Sequence, residues 1–120
     1  MFRFSKQNVL KKNKNFRIVY RHGKSWANRL VVLYVLPQPK KSADQRRAGF
    51  VTGKKIGGAV VRNRAKRLMK EAYRLFQNRL KDGVDMVFVG RSQLVHSDFN
   101  EVQKALIELC NRAQVFKKEK

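Results

Sequence analysis

The sequence predicts an α+β fold in which a layer of helices packs on one small β-sheet. Two stretches, at about 59–80 and 98–114, carry apolar residues at the three- and four-residue spacing of amphipathic helices. Three stretches before and between them are rich in β-branched and aromatic residues, as strands are. Because a helix separates the second and third predicted strands, those strands can pair in parallel. This order favours two layers, with one sheet face free to stay open.

A short helix is predicted before the strands, at about residues 13–21. On its helical wheel Phe16 and Tyr20 share a face with Lys12, whereas Ile18 lies on the opposite side. A helix this short with apolar residues on two sides can contact the core on one side and a ligand on the other.

The predicted strands span residues 25–36, 46–53 and 84–89. A polar pair, Asn28 and Arg29, interrupts the first strand and marks a place where it could break. A polar loop that contains two prolines then separates the first strand from the second.

The helix at about 59–80 has two distinct faces. Its apolar arc is predicted to consist of Val61, Ala65, Leu68, Met69, Ala72, Leu75 and Phe76. The remaining face is almost entirely basic. Arg62 and Arg64 lie near the helix start and oppose the macrodipole, so an anion at this end would stabilise the helix. Gly57 and Gly58 would let a phosphate approach the free backbone N–H groups. The alternative is a basic face that is only solvated.

The last helix begins with a capping-box pattern, in which Glu101 follows Asp98 by three residues. The single cysteine, Cys110, lies among the apolar residues of this helix. We therefore expect Cys110 to be a small core residue.

The charge of the chain is extreme and uneven. The net charge is +21, and residues 1–80 hold 22 of the 29 basic residues but only two of the eight acidic ones. A globule this basic repels itself unless a polyanion is present, so nucleic acid is the expected partner and an anionic membrane surface is the alternative. At 120 residues we expect one domain, 1–120, with frayed ends at about 1–8 and 115–120.

Nothing in the sequence indicates a membrane or secreted location. No apolar run approaches the roughly 20 residues that a membrane span needs. The N-terminus has no apolar segment of the kind found in signal peptides. One cysteine allows neither an internal disulfide nor a zinc-ligand cluster. We therefore expect a cytoplasmic protein.

The residue types that catalysis needs are sparse. Asp44 and Glu71 are the only acids in the first 80 residues, which excludes a paired-carboxylate site there. His22 and His96 lie in separate segments, and neither is part of a Cys or Asp/Glu pattern with metal-ligand spacing. No serine lies in a nucleophile-elbow motif. We predict no catalytic residue and no metal site in the polypeptide.

Residues suited to nucleic acid are plentiful. Arg and Lys on one helical face would neutralise phosphates, and Asn63 between two arginines adds an amide for a 2′-hydroxyl or a base edge. Phe16, Tyr20 and Tyr34 could stack on unpaired bases. Core packing is the alternative for Phe16, whereas the tyrosine hydroxyls favour a polar surface.

An ordered set of motifs resembles the bacterial ribonuclease P protein family across nearly the whole chain. The set is specific because of its order, its spacing and the length of the chain. In order, the motifs are Lys11-Lys12-Asn13, Phe16, Val19-Tyr20, His22-Gly23, Ala27-Asn28-Arg29, Lys54-Lys55-Ile56-Gly57, Arg62-Asn63-Arg64 and Lys66-Arg67.

The resemblance implies both a fold and a function. The fold is an αβββαβα two-layer sandwich with a small mixed sheet and a left-handed βαβ crossover, the ribosomal protein S5 domain 2-like fold. It has one strand more than the three predicted above. The partner is a large catalytic RNA that removes the 5′ leader from precursor tRNA. The protein is then the non-catalytic subunit of a ribonucleoprotein endonuclease, and the magnesium that the holoenzyme needs is held mainly by RNA.

By matching position, the resemblance also implies two RNA-binding surfaces. The residues expected to bind the RNA subunit are Lys55, Arg62, Asn63, Arg64, Lys66, Arg67 and Lys70. A cleft between the first helix and the sheet is expected to hold the single-stranded leader. The residues expected in this cleft are Lys12, Phe16, Tyr20, Tyr34 and Lys54.

Two other functions fit the composition. One is a structural RNA-binding protein of the ribosome that has no processing role. The other is a DNA-binding protein that inserts the basic helix into a major groove, although the sequence has neither a helix-turn-helix pattern nor a dimer seam.

Overall fold

The computed structural model describes residues 13–38 and 46–117. Three α-helices and four β-strands follow each other in the order αβββαβα. They are α1 (Asn13–His22), β1 (Lys24–Ala27), β2 (Val31–Pro37), β3 (Arg46–Thr52), α2 (Ala59–Phe76), β4 (Val84–Gly90) and α3 (Phe99–Arg112). Short 3₁₀ turns lie at Lys54–Ile56, Gln77–Arg79 and Ser92–His96. The expected frayed segment 1–8 lies outside the described residues.

The four strands form one mixed sheet in the order β1-β2-β4-β3. β2 lies antiparallel between β1 and β4, whereas β3 pairs with β4 in parallel. The parallel pair is joined through α2, as the strand–helix–strand order allowed. The α+β architecture implied by the resemblance is therefore confirmed. The left-handedness of the βαβ crossover stays a prediction.

The fourth strand arises because the first predicted strand is divided at Asn28. The Asn28 side-chain oxygen accepts hydrogen bonds from the backbone N–H groups of Leu30 at 3.1 Å and Val31 at 3.0 Å. Its amide nitrogen donates to the carbonyl of Ala105 in α3 at 3.0 Å. A side chain that bonds the backbone ahead of it stabilises a turn. β1 therefore folds back on β2 in register, with Trp26 opposite Leu33.

The main core lies between one face of the sheet and the helices α2 and α3. Alternate β2 residues, Val31, Leu33 and Val35, point into it. Aromatic rings fill its centre: Phe50 of β3 stacks on Phe88 of β4 at 5.4 Å, and Tyr73 of α2 meets both rings edge-on. This packing fixes α2 across the sheet and turns its other side outward.

The apolar arc of α2 is rotated from the predicted one. Ala65, Met69, Ala72 and Phe76 are buried as predicted, but Leu75 is 49% exposed and this part of the prediction was wrong. Tyr73 takes its place in the core at 1% exposure. Its hydroxyl accepts a hydrogen bond from Nε of buried Arg46 at 3.0 Å, which supplies the partner that a buried hydroxyl needs.

Helix α3 begins as the sequence predicts. The Asp98 carboxylate accepts from the Glu101 backbone N–H at 2.9 Å, and the Glu101 carboxylate accepts from the Asp98 N–H at 3.1 Å. The capping box is therefore confirmed. Cys110 is buried in the core, and burial raises the pKa of its thiol to about 12.

Order extends further along the C-terminal tail than the expected fraying from residue 115. Val115 is buried, and Leu80 forms an antiparallel bridge with Phe116. The Lys117 backbone N–H donates to the Arg79 carbonyl at 2.8 Å. The apolar residues of the tail therefore cover the end of α2.

Candidate nucleic-acid interface

Helix α1 packs on the sheet face that points away from α2 and α3. Val19 of α1 is fully buried against Val87 of β4. Around this pair lies a set of half-buried apolar side chains from α1 and three strands. They are Phe16, Tyr34, Leu36, Val51 and Val89. We call this set the cleft floor; it leaves an apolar strip beside α1 that the described residues cover only in part.

Three of the predicted leader-binding residues meet at this strip. The rings of Phe16 and Tyr20 have centroids 6.4 Å apart, and the Tyr20 ring meets Tyr34 edge-on at 4.9 Å. Tyr20 is 39% exposed, whereas Phe16 and Tyr34 are half-buried. The rings thus form one continuous group that is anchored on one side and open on the other. Phe16 fits both the core-packing and the base-stacking interpretation, since it packs in the cleft floor and part of its ring stays exposed.

The tyrosine hydroxyl at the rim of the cleft stays protonated at neutral pH. Burial of the ring, and then the neighbouring Tyr34, raises the pKa of Tyr20 above its usual value. A protonated phenol can both donate and accept a hydrogen bond. Tyr20 can therefore contact a base edge or a phosphate while its ring stacks.

Two of the predicted leader-binding residues cannot be placed by side chain. Lys12 lies outside the described residues. Lys54 begins the 3₁₀ turn Lys54–Ile56, which follows β3 and leads towards α2. The backbone of Lys54 therefore lies at the sheet end where Thr52 pairs with Gly90.

Sequence reasoning missed most of the cleft floor. The sequence predicts Leu36, Val51 and Val89 only as strand residues, although every residue from Val31 to Leu36 is apolar. A continuous apolar run of this kind indicates a strand that is covered on both faces. That signal would have predicted an apolar surface on the second sheet face, although not which helix covers it.

A buried ion pair closes one end of the cleft floor. The guanidinium of Arg47 on β3 donates to both carboxylate oxygens of Asp85 on β4, at 2.8 and 2.6 Å. The Gln38 side-chain amide also donates to Asp85. The Asp85 side chain is only 3% exposed, and its hydrogen bond raises the pKa of Arg47. The sequence alone does not reveal the Arg47–Asp85 pair, because β3 and β4 are separated in the chain by helix α2.

The residues predicted to bind the RNA subunit lie on the outer side of α2 and in the turn before it. Arg62 and Lys66 are half-buried, whereas the others are exposed: Lys55, Asn63, Arg64, Arg67 and Lys70. Arg64 donates from Nη1 to the Val95 carbonyl at 3.3 Å, which ties this guanidinium to the 3₁₀ turn before α3. We call this set of residues on α2 and the preceding turn the basic face.

The first turn of α2 has no cap from the side chains that the structure describes. Gly58 is the N-cap residue, none of these side chains bonds the first N–H groups, and the first turn contains no acid. Gly57 has φ of 152°, and a Cβ added there would lie 3.1 Å from the Cβ of Val61. Glycine is therefore required at this approach to the helix. The exposed helix start and the basic face together favour an anion at this end.

The described residues contain no group of three or more His, Cys, Asp and Glu side chains that could hold a metal ion. His22 ends α1, and His96 ends the 3₁₀ turn before α3. None of the helices in the described ranges has the length and apolar character of a membrane span.

Comparison with known proteins identifies similar sequences and structures. A family model for ribonuclease P matches residues 4–114. A ribonuclease P protein component of Clostridium botulinum (strain Langeland / NCTC 10281 / Type F) is 44% identical over 112 residues, covering 92% of this chain and 98% of the relative. The protein component of Clostridioides difficile (strain 630) is 41% identical over 113 residues, covering 93% and 96%.

Solved structures agree with the sequence relatives. The ribonuclease P protein of Staphylococcus aureus superimposes with a TM-score of 0.82 at 30% identity, covering 93% of this chain and all of that one. The Thermotoga maritima protein superimposes with a TM-score of 0.77 at 29% identity, covering 87% and 96%. The similarity therefore extends over nearly the whole length in both sequence and fold.

Proposed function

The chain belongs to the ribonuclease P protein family, and we propose that it binds the catalytic RNA subunit of ribonuclease P together with the 5′ leader of precursor tRNA. In this role it promotes endonucleolytic removal of the leader, which yields the mature tRNA 5′ end. We place the complex in the cytoplasm. The observation that carries the proposal is the separation of a basic helix face from an aromatic cleft on the opposite side of the sheet.

The basic face suits a folded RNA. Its exposed guanidinium and ammonium groups can neutralise phosphates and release condensed counterions, which gives affinity without sequence preference. Arg can also bind phosphate in a bidentate manner. The N–H groups at the start of α2 add an anion site that lies beside these cations. We assign the RNA subunit to this surface.

The aromatic cleft suits a single strand. Unpaired bases stack on aromatic rings whatever their sequence, and each stack contributes about 1–3 kcal/mol. Phe16 and Tyr34 belong to the apolar cleft floor, and the Tyr20 ring contacts both of their rings. A leader that binds here raises the affinity for precursor tRNA but not for mature tRNA, which lacks the leader. We therefore infer that the cleft distinguishes substrate from product.

We assign the chemistry of cleavage to the RNA subunit. The described donor set does not fit a catalytic metal: Asp85 is already held by Arg47 and Gln38, and the described residues form no ligand cluster. We accordingly place the magnesium of the holoenzyme mainly on RNA. The protein contributes by holding the two RNAs in a productive relative position.

Reconstitution tests the proposed function. The protein is mixed with a ribonuclease P RNA at low magnesium, and cleavage of precursor tRNA at its 5′ end is measured. We expect clear stimulation over the RNA alone. The control is a polylysine of similar net charge, which has no aromatic cleft for the leader. Equal stimulation by the polycation, or none by the protein, would favour a structural RNA-binding role instead.

A further inference from the structure

A cavity of about 470 Å³ opens between the outer side of α2 and the start of α3. Leu68 and Phe99 form its apolar part, and both side chains are half-buried against the main core. Arg64, Arg67 and Glu71 line the rest. The cavity therefore combines an aromatic ring, two cations and one carboxylate within the basic face.

A phosphate backbone alone would not need this combination. Phosphates are bound by cations and N–H donors, and an apolar recess beneath those groups adds nothing to that binding. An unpaired nucleobase has the complementary pattern, because it offers an apolar π-face for stacking and a polar edge for hydrogen bonds. The two arginines beside the recess would hold the phosphates on either side of such a base.

We propose that this cavity binds one unpaired nucleobase of the partner RNA, stacked on Phe99, with guanine preferred. The site rests on the proposed function, since it refines how the basic face binds RNA. Glu71 supplies the preference: an ionised carboxylate only accepts hydrogen bonds, and the Watson–Crick edge of guanine carries two adjacent N–H donors. The Glu71 carboxylate is about half exposed and is oriented by Arg74, which donates to Oε2 at 2.7 Å.

The first test measures affinity for ribonuclease P RNA. Phe99→Leu keeps an apolar side chain on the core but removes the ring, and we expect affinity to fall about tenfold. The slope of affinity against salt concentration should stay unchanged, since every phosphate-binding cation is retained. Phe99→Tyr should keep the affinity of the original chain. Leu75→Ala, on an exposed apolar residue of α2 outside the cavity, is the matched control and should have no effect.

Unchanged affinity in Phe99→Leu, with a thermal unfolding curve like that of the original chain, would overturn the nucleobase site. A reduced salt slope in that variant would overturn it too, because the region would then act through charge. Neither result contradicts the proposed function so long as the original chain still binds the RNA and stimulates cleavage. Absence of binding by the original chain would instead contradict the proposed function.

The second test needs no RNA subunit. The chain has one tryptophan, Trp26. A Trp26→Phe, Phe99→Trp double variant therefore reports stacking at the cavity by fluorescence quenching. Titration with 5′-GMP, 5′-AMP, 5′-CMP and 5′-UMP should show saturable quenching. The concentration for half-maximal quenching should be about tenfold lower for GMP than for AMP. Glu71→Gln in the same background should abolish that preference. Linear, equal quenching by all four nucleotides would contradict the site.

Discussion

At the scale of single residues, the aromatic cleft depends on contacts between rings from different elements. Tyr20 contributes from α1 and Tyr34 from β2, and their centroids lie 4.9 Å apart. Tyr34 is anchored in the cleft floor and Tyr20 packs against it edge-on, so both rings are already oriented in the free protein. An oriented ring loses little conformational freedom when it stacks, which favours tight binding.

Replacing Tyr20 by Ala should weaken binding of precursor tRNA to the holoenzyme by about 1–3 kcal/mol, because one stack is removed. Binding of mature tRNA should not change. Equilibrium binding of both RNAs measures the difference. Ile18→Ala is the control, since Ile18 is as exposed as Tyr20 but has no aromatic ring for a base to stack on. A similar loss for mature tRNA would contradict the leader cleft.

The hydroxyl of Tyr73 matters for stability rather than for binding. It accepts from Nε of Arg46, whose side chain is only 9% exposed. Tyr73→Phe should lower the free energy of unfolding by about 1–3 kcal/mol, since the buried guanidinium loses an acceptor. Urea denaturation measures the change. Tyr34→Phe removes the hydroxyl of a half-buried tyrosine and should stay within about 0.5 kcal/mol of the original chain. An equal effect of both changes would show that Tyr73 has no special role.

At the scale of elements, α2 has a buried core side and an outer basic side, with Leu68 at the boundary between them. Ala65, Met69 and Phe76 hold the helix on the sheet. Because the helix is fixed by these contacts, the cations of its outer side keep a constant arrangement. The arginines on the outer side of α2 can then be substituted without disturbing the core.

Replacing Arg64 and Arg67 by Ala should reduce the salt dependence of binding to ribonuclease P RNA. We expect the slope of log affinity against log salt to fall by about one unit for each phosphate that is no longer neutralised. Binding at several salt concentrations gives this slope. Lys104→Ala, a cation on α3 outside the basic face, should leave the slope unchanged and serves as the control. A parallel shift with unaltered slope would mean that these arginines do not bind phosphate.

At the scale of the whole molecule, the sheet separates two sites that face opposite ways. The main core joins β2, β3 and β4 to α2 and α3, whereas the cleft lies on the other face beneath α1. Residues in contact couple energetically, and residues on opposite sides of a packed sheet generally do not. The fold therefore allows the basic face and the aromatic cleft to vary independently.

Combining Arg67→Ala with Tyr20→Ala should lower the affinity of the assembled complex for precursor tRNA by the sum of the two single losses, within about 0.5 kcal/mol, and nearly all of that sum should come from Tyr20→Ala. The four proteins of the double-mutant cycle are compared at saturating RNA subunit, so that assembly is complete in each. Mature tRNA serves as the reference substrate. A coupling energy well above that limit would show that the leader and the RNA subunit share one surface.

The sequence predicted much of this protein because many of its features are local. Helical spacing placed α1, α2 and α3, and the capping box marked where α3 begins. β-branched and aromatic content placed three strands, the first of which divides into β1 and β2, and the charge of α2 indicated nucleic acid as its partner. Each of these signals depends on residues that are near in the chain, where periodicity relates sequence directly to a face. The motif order then indicated the family.

Only the tertiary structure decided which faces meet. Tyr73 replaced Leu75 in the core because Arg46, from a distant strand, supplied its hydroxyl with a partner. Asp85 and Arg47 became a pair because β3 and β4 lie side by side in parallel. Phe99 came to lie beside the basic face because α3 packs against α2. Such contacts depend on distances between elements, which packing across the sheet sets and local periodicity does not contain.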